Sequence, residues 1–190
     1  MARPKTITDE HLLDAAFTVL GQVGPGFTLA QIARGAQVSV GTVAGRFGSK
    51  QGLLAALTER TTTRVVAGMR AARAAAPDPV AAVRAAAVAT FAELGDADSA
   101  ANHLRNLGVD LSDPRLTELL GQHLAALETE LLAAVSAADL PSAPPPELAA
   151  RVLFSLVNGV SIDWSIRPTG SLADRLGADT DAVLNAWRRG

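Results

Sequence analysis

The chain has 190 residues, 48% hydrophobic and 19% charged, with a net charge of −2 and no cysteine. That composition fits one compact domain or a small module fused to a larger one, and it excludes disulfides and thiolate-held metals. The polar start MARPKTITDEH and the lack of any run near about 18 apolar residues lead us to expect no membrane partner and a cytoplasmic location.

Charge is unevenly placed. Residues 1–60 carry six Lys/Arg against four acids, whereas the remainder carries 11 against 15, and both lysines, Lys5 and Lys50, fall in the first part. Apolar spacing of period 3.6 recurs between Gly and Pro breaks, and no run of alternating β-branched residues interrupts it, so the expected class is all-α. A first helix is predicted over 9–23, capped by Thr8, with Leu12, Leu13, Ala16, Phe17 and Leu20 on one face, and Gly24-Pro25-Gly26 ends it. Thr28 caps a short helix bearing Leu29, Ile32 and Ala33. Gln37-Val38-Ser39 makes a tight turn, and a second short helix covers about 40–47. Ser49 caps a long helix reaching about 75, where Pro77 stops it.

Beyond that connector, Asp78-Pro79 opens a helix with Val80, Val83, Ala87, Phe91 and Leu94 on one side, closed by Gly95. A helical stretch is expected over about 97–107. Asp113-Pro114 opens another helix, striped by Leu116, Leu120, Leu124, Leu127 and Leu131. DLPSAPPP (139–146) is a surface loop, and two further helices are predicted over about 147–167 and 179–187. The expected organisation is a three-helix head, within a domain of residues 1–48, joined by the long helix to a larger body within 49–190. So small a head buries little core alone.

Two short helices joined by a three-residue turn have the spacing of a helix-turn-helix, whose second helix enters the major groove while the first braces it. Ala33 supplies the small residue at the crossing, and Ile32, Val38 and Val43 fix the angle. The second helix then exposes Ser39, Gly41, Thr42, Ala44, Gly45 and Arg46. At TLAQIARGAQVSVGTVAGRFGSKQGLL (28–54) the sequence resembles the TetR family of bacterial transcriptional regulators. The resemblance implies DNA contacts from Thr28, Ser39, Val40, Gly41, Thr42, Ala44, Arg46 and Lys50, with Thr28, Thr42 and Lys50 on phosphates and Arg3 and Lys5 in a flexible basic arm.

Four positions depart from the family pattern: Ala44 replaces a tyrosine, Gly45 a polar or basic residue, Arg46 a histidine and Gln37 a turn glycine. Two outcomes stay open at this point. A smooth helix can read thymine methyls through Val40 and Ala44, with Arg46 making the charged contact. Alternatively, the head has lost DNA binding and the chain is a helical dimer that binds a small molecule or protein partner.

For the body, the resemblance implies a small-molecule effector and a homodimer whose last two helices form a four-helix interface, with Ala149, Val152, Leu156, Gly159 and Val160 along the seam. Candidate effector-binding residues are Phe91, His103, His123, Phe154, Asn158 and Trp164, with Asn102, Asn106 and Asp163 as further polar candidates. His123 stands out because it follows the Leu116/Leu119/Leu120 stripe at helical spacing. Asp110 and Asp113 read as caps of the Pro-started helix. His11, His103 and His123 are isolated, and no catalytic or metal-binding motif is present, so neither enzyme activity nor a cofactor is expected. An enzyme using His123 or Asp163 is the remaining rival. The favoured expectation is a repressor of the TetR type on a double-stranded DNA operator, released when an effector in the body shifts the connector helix and the spacing of two heads.

Overall fold

The computed structural model describes residues 7–189. Nine α-helices and no strand are present among them: α1 Asp9–Val23, α2 Leu29–Gly35, α3 Val40–Phe47, α4 Lys50–Ala74, α5 Pro79–Ala89, α6 Ala97–Ser112, α7 Pro114–Ser136, α8 Pro146–Ile166 and α9 Leu172–Arg188. A short 3₁₀ turn, Gly24–Gly26, separates α1 from α2. The all-α expectation therefore holds, and the reasons are local. Thr8, Thr28, Ser39, Ser49, Asp78, Asp96, Asp113 and Ser171 each cap a helix by accepting backbone N–H groups that have no partner within the helix. Thr28 and Gln31 complete a reciprocal capping box.

Two hydrophobic clusters organise the molecule. The first joins α1, α2, α3 and the start of α4 around Leu12, Ile32, Val43 and Leu53, each fully buried, and takes in Leu116 from α7. Borrowing Leu53, Leu54, Leu57 and Leu116 is how so small a head acquires a core. Truncating a residue such as Leu53 to alanine costs about 2–5 kcal/mol. Ala33 is 2% exposed within this cluster. Gly52 is required for a different reason: a Cβ there would overlap the Phe47 carbonyl oxygen where α4 departs from α3. The second cluster packs α4, α5, α7, α8 and α9 around Met69, Val83, Leu127, Leu131, Leu153, Val157 and Leu176.

Three sequence expectations are corrected. α5 ends at Ala89, so Phe91 and Leu94 lie in the turn that Gly95 closes at φ 72°. The Thr90 hydroxyl folds back onto the Ala86 carbonyl at 3.2 Å as the helix finishes. α9 begins at Leu172, well before residue 179, because Ser171 caps it and Gly177 is a buried helical position. The Arg84 guanidinium lies so close to Gly177 that any Cβ would overlap it, while its Nε binds Asp181 at 2.9 Å. On α8, Ala149 and Val160 of the expected seam are 0% and 8% exposed in the chain's own core. Val152 and Gly159 of that seam do face outward, together with Leu148, Ile162 and Ile166, and Leu156 is half-buried. No helix among the described residues is long and apolar enough to cross a membrane.

Candidate nucleic-acid interface and adjoining cavity

The outer face of α3 is built by its cap. Ser39 Oγ accepts from Thr42 N at 3.0 Å and lies 2.9 Å from Thr42 Oγ1, which seats both hydroxyls at the start of the helix. Val43 points into the core, leaving Ser39, Val40 (47% exposed), Gly41 and Gly45 outward, with Thr42 and Ala44 half-buried beside them. A helix N-terminus presents N–H groups suited to phosphate, and the apolar Val40 and Ala44 match a thymine methyl better than a hydrogen-bonding base edge.

The two cations of this region are already engaged. Lys50 Nζ donates to the carbonyls of Pro25 and Phe27 at 2.5 and 2.9 Å and sits 4.2 Å above the centre of the Phe27 ring. Arg46 pairs with Asp9 and donates to the Ile7 carbonyl at 3.3 Å, so it ties α3 to the start of α1. The Thr28 hydroxyl is engaged with Gln31. Arg3 and Lys5 lie outside the described residues.

Behind the head, α1 is fastened to α4 by charge. The Arg60 side chain is 7% exposed and donates to Glu10 at 3.1 Å and Asp14 at 2.5 Å. Arg64 reaches Asp14 at 3.1 Å and, in the other direction, Glu93 at 3.1 Å beyond α5. Next to this clamp is a cavity of about 170 Å³ where α1, α4, α6 and α7 meet. Phe17, Leu20, Leu54, Leu57, Leu94 and Leu120 form its apolar wall, and Thr58, Thr61, His103, Asn106, Asp110 and His123 its polar one.

The His103 ring packs on Phe17 with centroids 4.5 Å apart, and His123 Nδ1 lies 2.8 Å from Thr62 Oγ1. Burial holds both imidazoles below the usual histidine pKa, favouring their neutral forms. Burial pushes the Asp110 carboxyl up, opposed by the hydrogen bond it accepts from Asn106 Nδ2 at 3.1 Å. Asn106 Oδ1 and His103 Nε2 are buried without a partner. No cluster of His, Asp and Glu among the described residues is arranged to hold a metal.

Residues 12–57 match the profile of the family described as "Bacterial regulatory proteins, tetR family". The HTH-type transcriptional regulator BetI of Burkholderia mallei (strain NCTC 10229) is 33% identical over 159 residues, covering 82% of this chain and 80% of its own. The BetI protein of Burkholderia pseudomallei (strain K96243) matches to the same extent. The chain belongs to the TetR family. Its fold agrees with that of a transcriptional regulator from Rhodococcus sp. Rha1 (TM-score 0.75, 22% identity, 97% of this chain and 100% of that one). It also agrees with FadR from Bacillus subtilis in complex with stearoyl-CoA (TM-score 0.72, 18% identity, 96% and 99% covered).

As a TetR-family member the chain is a transcriptional regulator, and its helix-turn-helix is the segment that matches the family profile. Of the six effector-site candidates, His103 and His123 share the cavity. Phe91 and Phe154 pack against the body core, Asn158 Nδ2 bonds back to the Phe154 carbonyl, and Trp164 Nε1 donates to the Gly170 carbonyl. Asp163 is held by Arg167 and Arg175, chiefly Arg167, which lower its pKa. Asp110, expected from the sequence to cap the Pro-started helix, does not: Asp113 alone caps α7, while Asp110 lies within α6 and its carboxyl accepts from Asn106 in the cavity wall. It lies seven positions after His103 and four after Asn106, one helical face, and that spacing was the available signal.

Proposed function

We propose that this TetR-family chain is a ligand-responsive repressor, a homodimer whose heads bind a roughly palindromic DNA operator and are released by a small molecule. Residues 1–48 serve as the DNA-binding unit and 49–190 as the effector-binding and dimerisation unit. The observation that carries the reading is the outward face of α3, exposed from Ser39 to Gly41 and at Gly45, and set by Ser39 and Val43. Ser39, Thr42 and the first N–H groups of α3 position the helix on phosphates, with Thr28, Arg46 and Lys50 around it, while Val40, Gly41 and Ala44 approach the bases.

The coupling follows from packing. The cavity lies between a head helix, α1, and body helices α6 and α7, with α4 shared by both cores. An effector that favours one arrangement of these helices changes the spacing of two heads, and only a difference in affinity between arrangements shifts operator binding.

A second reading has one observation in its favour: Lys50 and Arg46 direct their charge into the head. It is a helical dimer that binds a small molecule or protein and no DNA.

Gly45 separates the two readings, because it is exposed and a Cβ there meets nothing within 4 Å. Fluorescence anisotropy against pooled DNA fragments from the gene's own neighbourhood, at two salt concentrations, should give saturable binding that weakens with salt. Gly45→Glu should abolish it, and Gly45→Lys should steepen the salt slope by about 0.9. Flat titrations for the unaltered protein select the second reading.

A further inference from the structure

We infer that the cavity between α1, α4, α6 and α7 binds a small primary ammonium compound. Its charged head pairs with Asp110 and the Asn106 carbonyl, and its short apolar body lies against Leu54, Leu57 and Leu120. This deepens the effector reading and rests on it for the consequence to DNA, though not for binding itself.

The buried amide of Asn106 fixes the chemistry. Asn106 is 5% exposed, and its Nδ2 donates to Asp110 Oδ1 at 3.1 Å. A carboxylate can only accept, so the amide is oriented with Oδ1 as the remaining acceptor, and that atom has no partner. A buried acceptor left unmet is destabilising, so the wall asks for a donor. Asp110 asks for the same thing more strongly. No lysine or arginine lines the cavity, and burial disfavours the charged form of both imidazoles, so no full positive charge stands among the lining residues to meet it.

An anionic ligand would face Asp110 with no cation to receive it. A quaternary ammonium would satisfy the charge but bring no N–H to Asn106. A primary ammonium brings three donors. Size narrows the class further: about 170 Å³ lies below the roughly 300–1,000 Å³ typical of sites for drug-sized ligands, so the body is a few carbons long. An adjoining groove shares Phe17 and carries Asp96 and Asp98 at the start of α6, beside a Glu93 already paired with Arg64, so its excess charge is negative where an approaching cation arrives.

Calorimetric titration of the full chain at pH 7.5 tests the site with three probes: n-butylammonium, n-butyrate and tetramethylammonium. Butylammonium should saturate one site per chain with a Kd between about 10 µM and 1 mM, given the ceiling on binding energy per atom. Tetramethylammonium should bind at least about tenfold more weakly, and butyrate should not saturate. Asp110→Asn keeps the side-chain shape and the Asn106 contact but removes the charge, and it should weaken butylammonium at least about tenfold. Asn106→Leu should do likewise, and if it fails to fold, Asp110→Asn decides alone.

The site is overturned if butylammonium shows no saturation by about 10 mM. It is overturned equally if butyrate matches butylammonium, or if folded Asp110→Asn binds as the parent does. Anisotropy of the operator complex with butylammonium added reads the regulatory consequence separately, so a failure there leaves the calorimetric result standing.

Discussion

Gln37 holds φ at 56° in the turn between α2 and α3, the left-handed region that side chains with a Cβ disfavour by about 1–2 kcal/mol. The turn demands it: Gln37 N donates to the Arg34 carbonyl at 3.2 Å and Val38 N to the Ala33 carbonyl at 2.9 Å, closing α2 as the chain reverses. The Gln37 side chain is exposed, so little packing offsets the strain. Gln37→Gly should therefore raise stability, by about 0.5–1 kcal/mol once the greater freedom of an unfolded glycine is subtracted. Urea denaturation measures it, and a lower midpoint would mean that the glutamine makes an interaction its exposure conceals. The strain was legible only through the family resemblance, which puts a glycine at the turn position that Gln37 occupies. The engagement of Lys50 and Arg46 was not. Both bind partners 23 to 39 residues away, and periodicity within a helix carries no information about such pairs.

α1 and α4 are held together by an asymmetric charge cluster, and the asymmetry predicts which substitution hurts. Arg60 is only 7% exposed, whereas Glu10 and Asp14 are 57% and 56% exposed. Removing both acids strands a buried guanidinium, whose Nε already has no partner. Replacing Arg60 by methionine keeps much of the side-chain volume and leaves two carboxylates that water can solvate. The Glu10→Gln, Asp14→Asn pair should thus destabilise the protein more than Arg60→Met does, by about 1–2 kcal/mol after discounting for the exposure of the acids. Thermal or urea melts of the two variants side by side decide it, and the reverse order would show that hydration reaches Arg60. At this scale the sequence was most informative. Ser, Thr and Asp caps and Asp-Pro pairs placed the starts of α1 to α5 and α7 to within a residue, because capping is a local interaction. It failed at α9, expected to start at about 179: the helix runs through Gly177, which is buried beneath Arg84, a side chain from α5 that no local pattern announces.

At the scale of the molecule, four of the seven large hydrophobic residues exposed among the described residues lie on α8. Leu148, Val152, Ile162 and Ile166 are 39%, 39%, 41% and 68% exposed, and with Gly159 they recur every three to seven residues along one face. Beside them α9 turns Ala178, Ala182 and Ala186 outward, small side chains that let another helix approach closely. Of the seam residues expected on α8, Val152 and Gly159 face outward, whereas Ala149 and Val160 face the chain's own core. Ala149 and Val160 are as apolar as the residues that face out, and only packing against α7 and α9 distinguishes them. If this face joins two copies in the proposed dimer, a charge at its centre has to be desolvated on association, which is severely unfavourable without a partner. Ile162→Glu leaves the folded monomer solvated at that position, so circular dichroism should be unchanged while sedimentation velocity shows a monomer. Operator binding then loses the advantage of two linked heads and should weaken by about 10²-fold or more. An Ile162→Glu chain that stays dimeric would place the interface on another face.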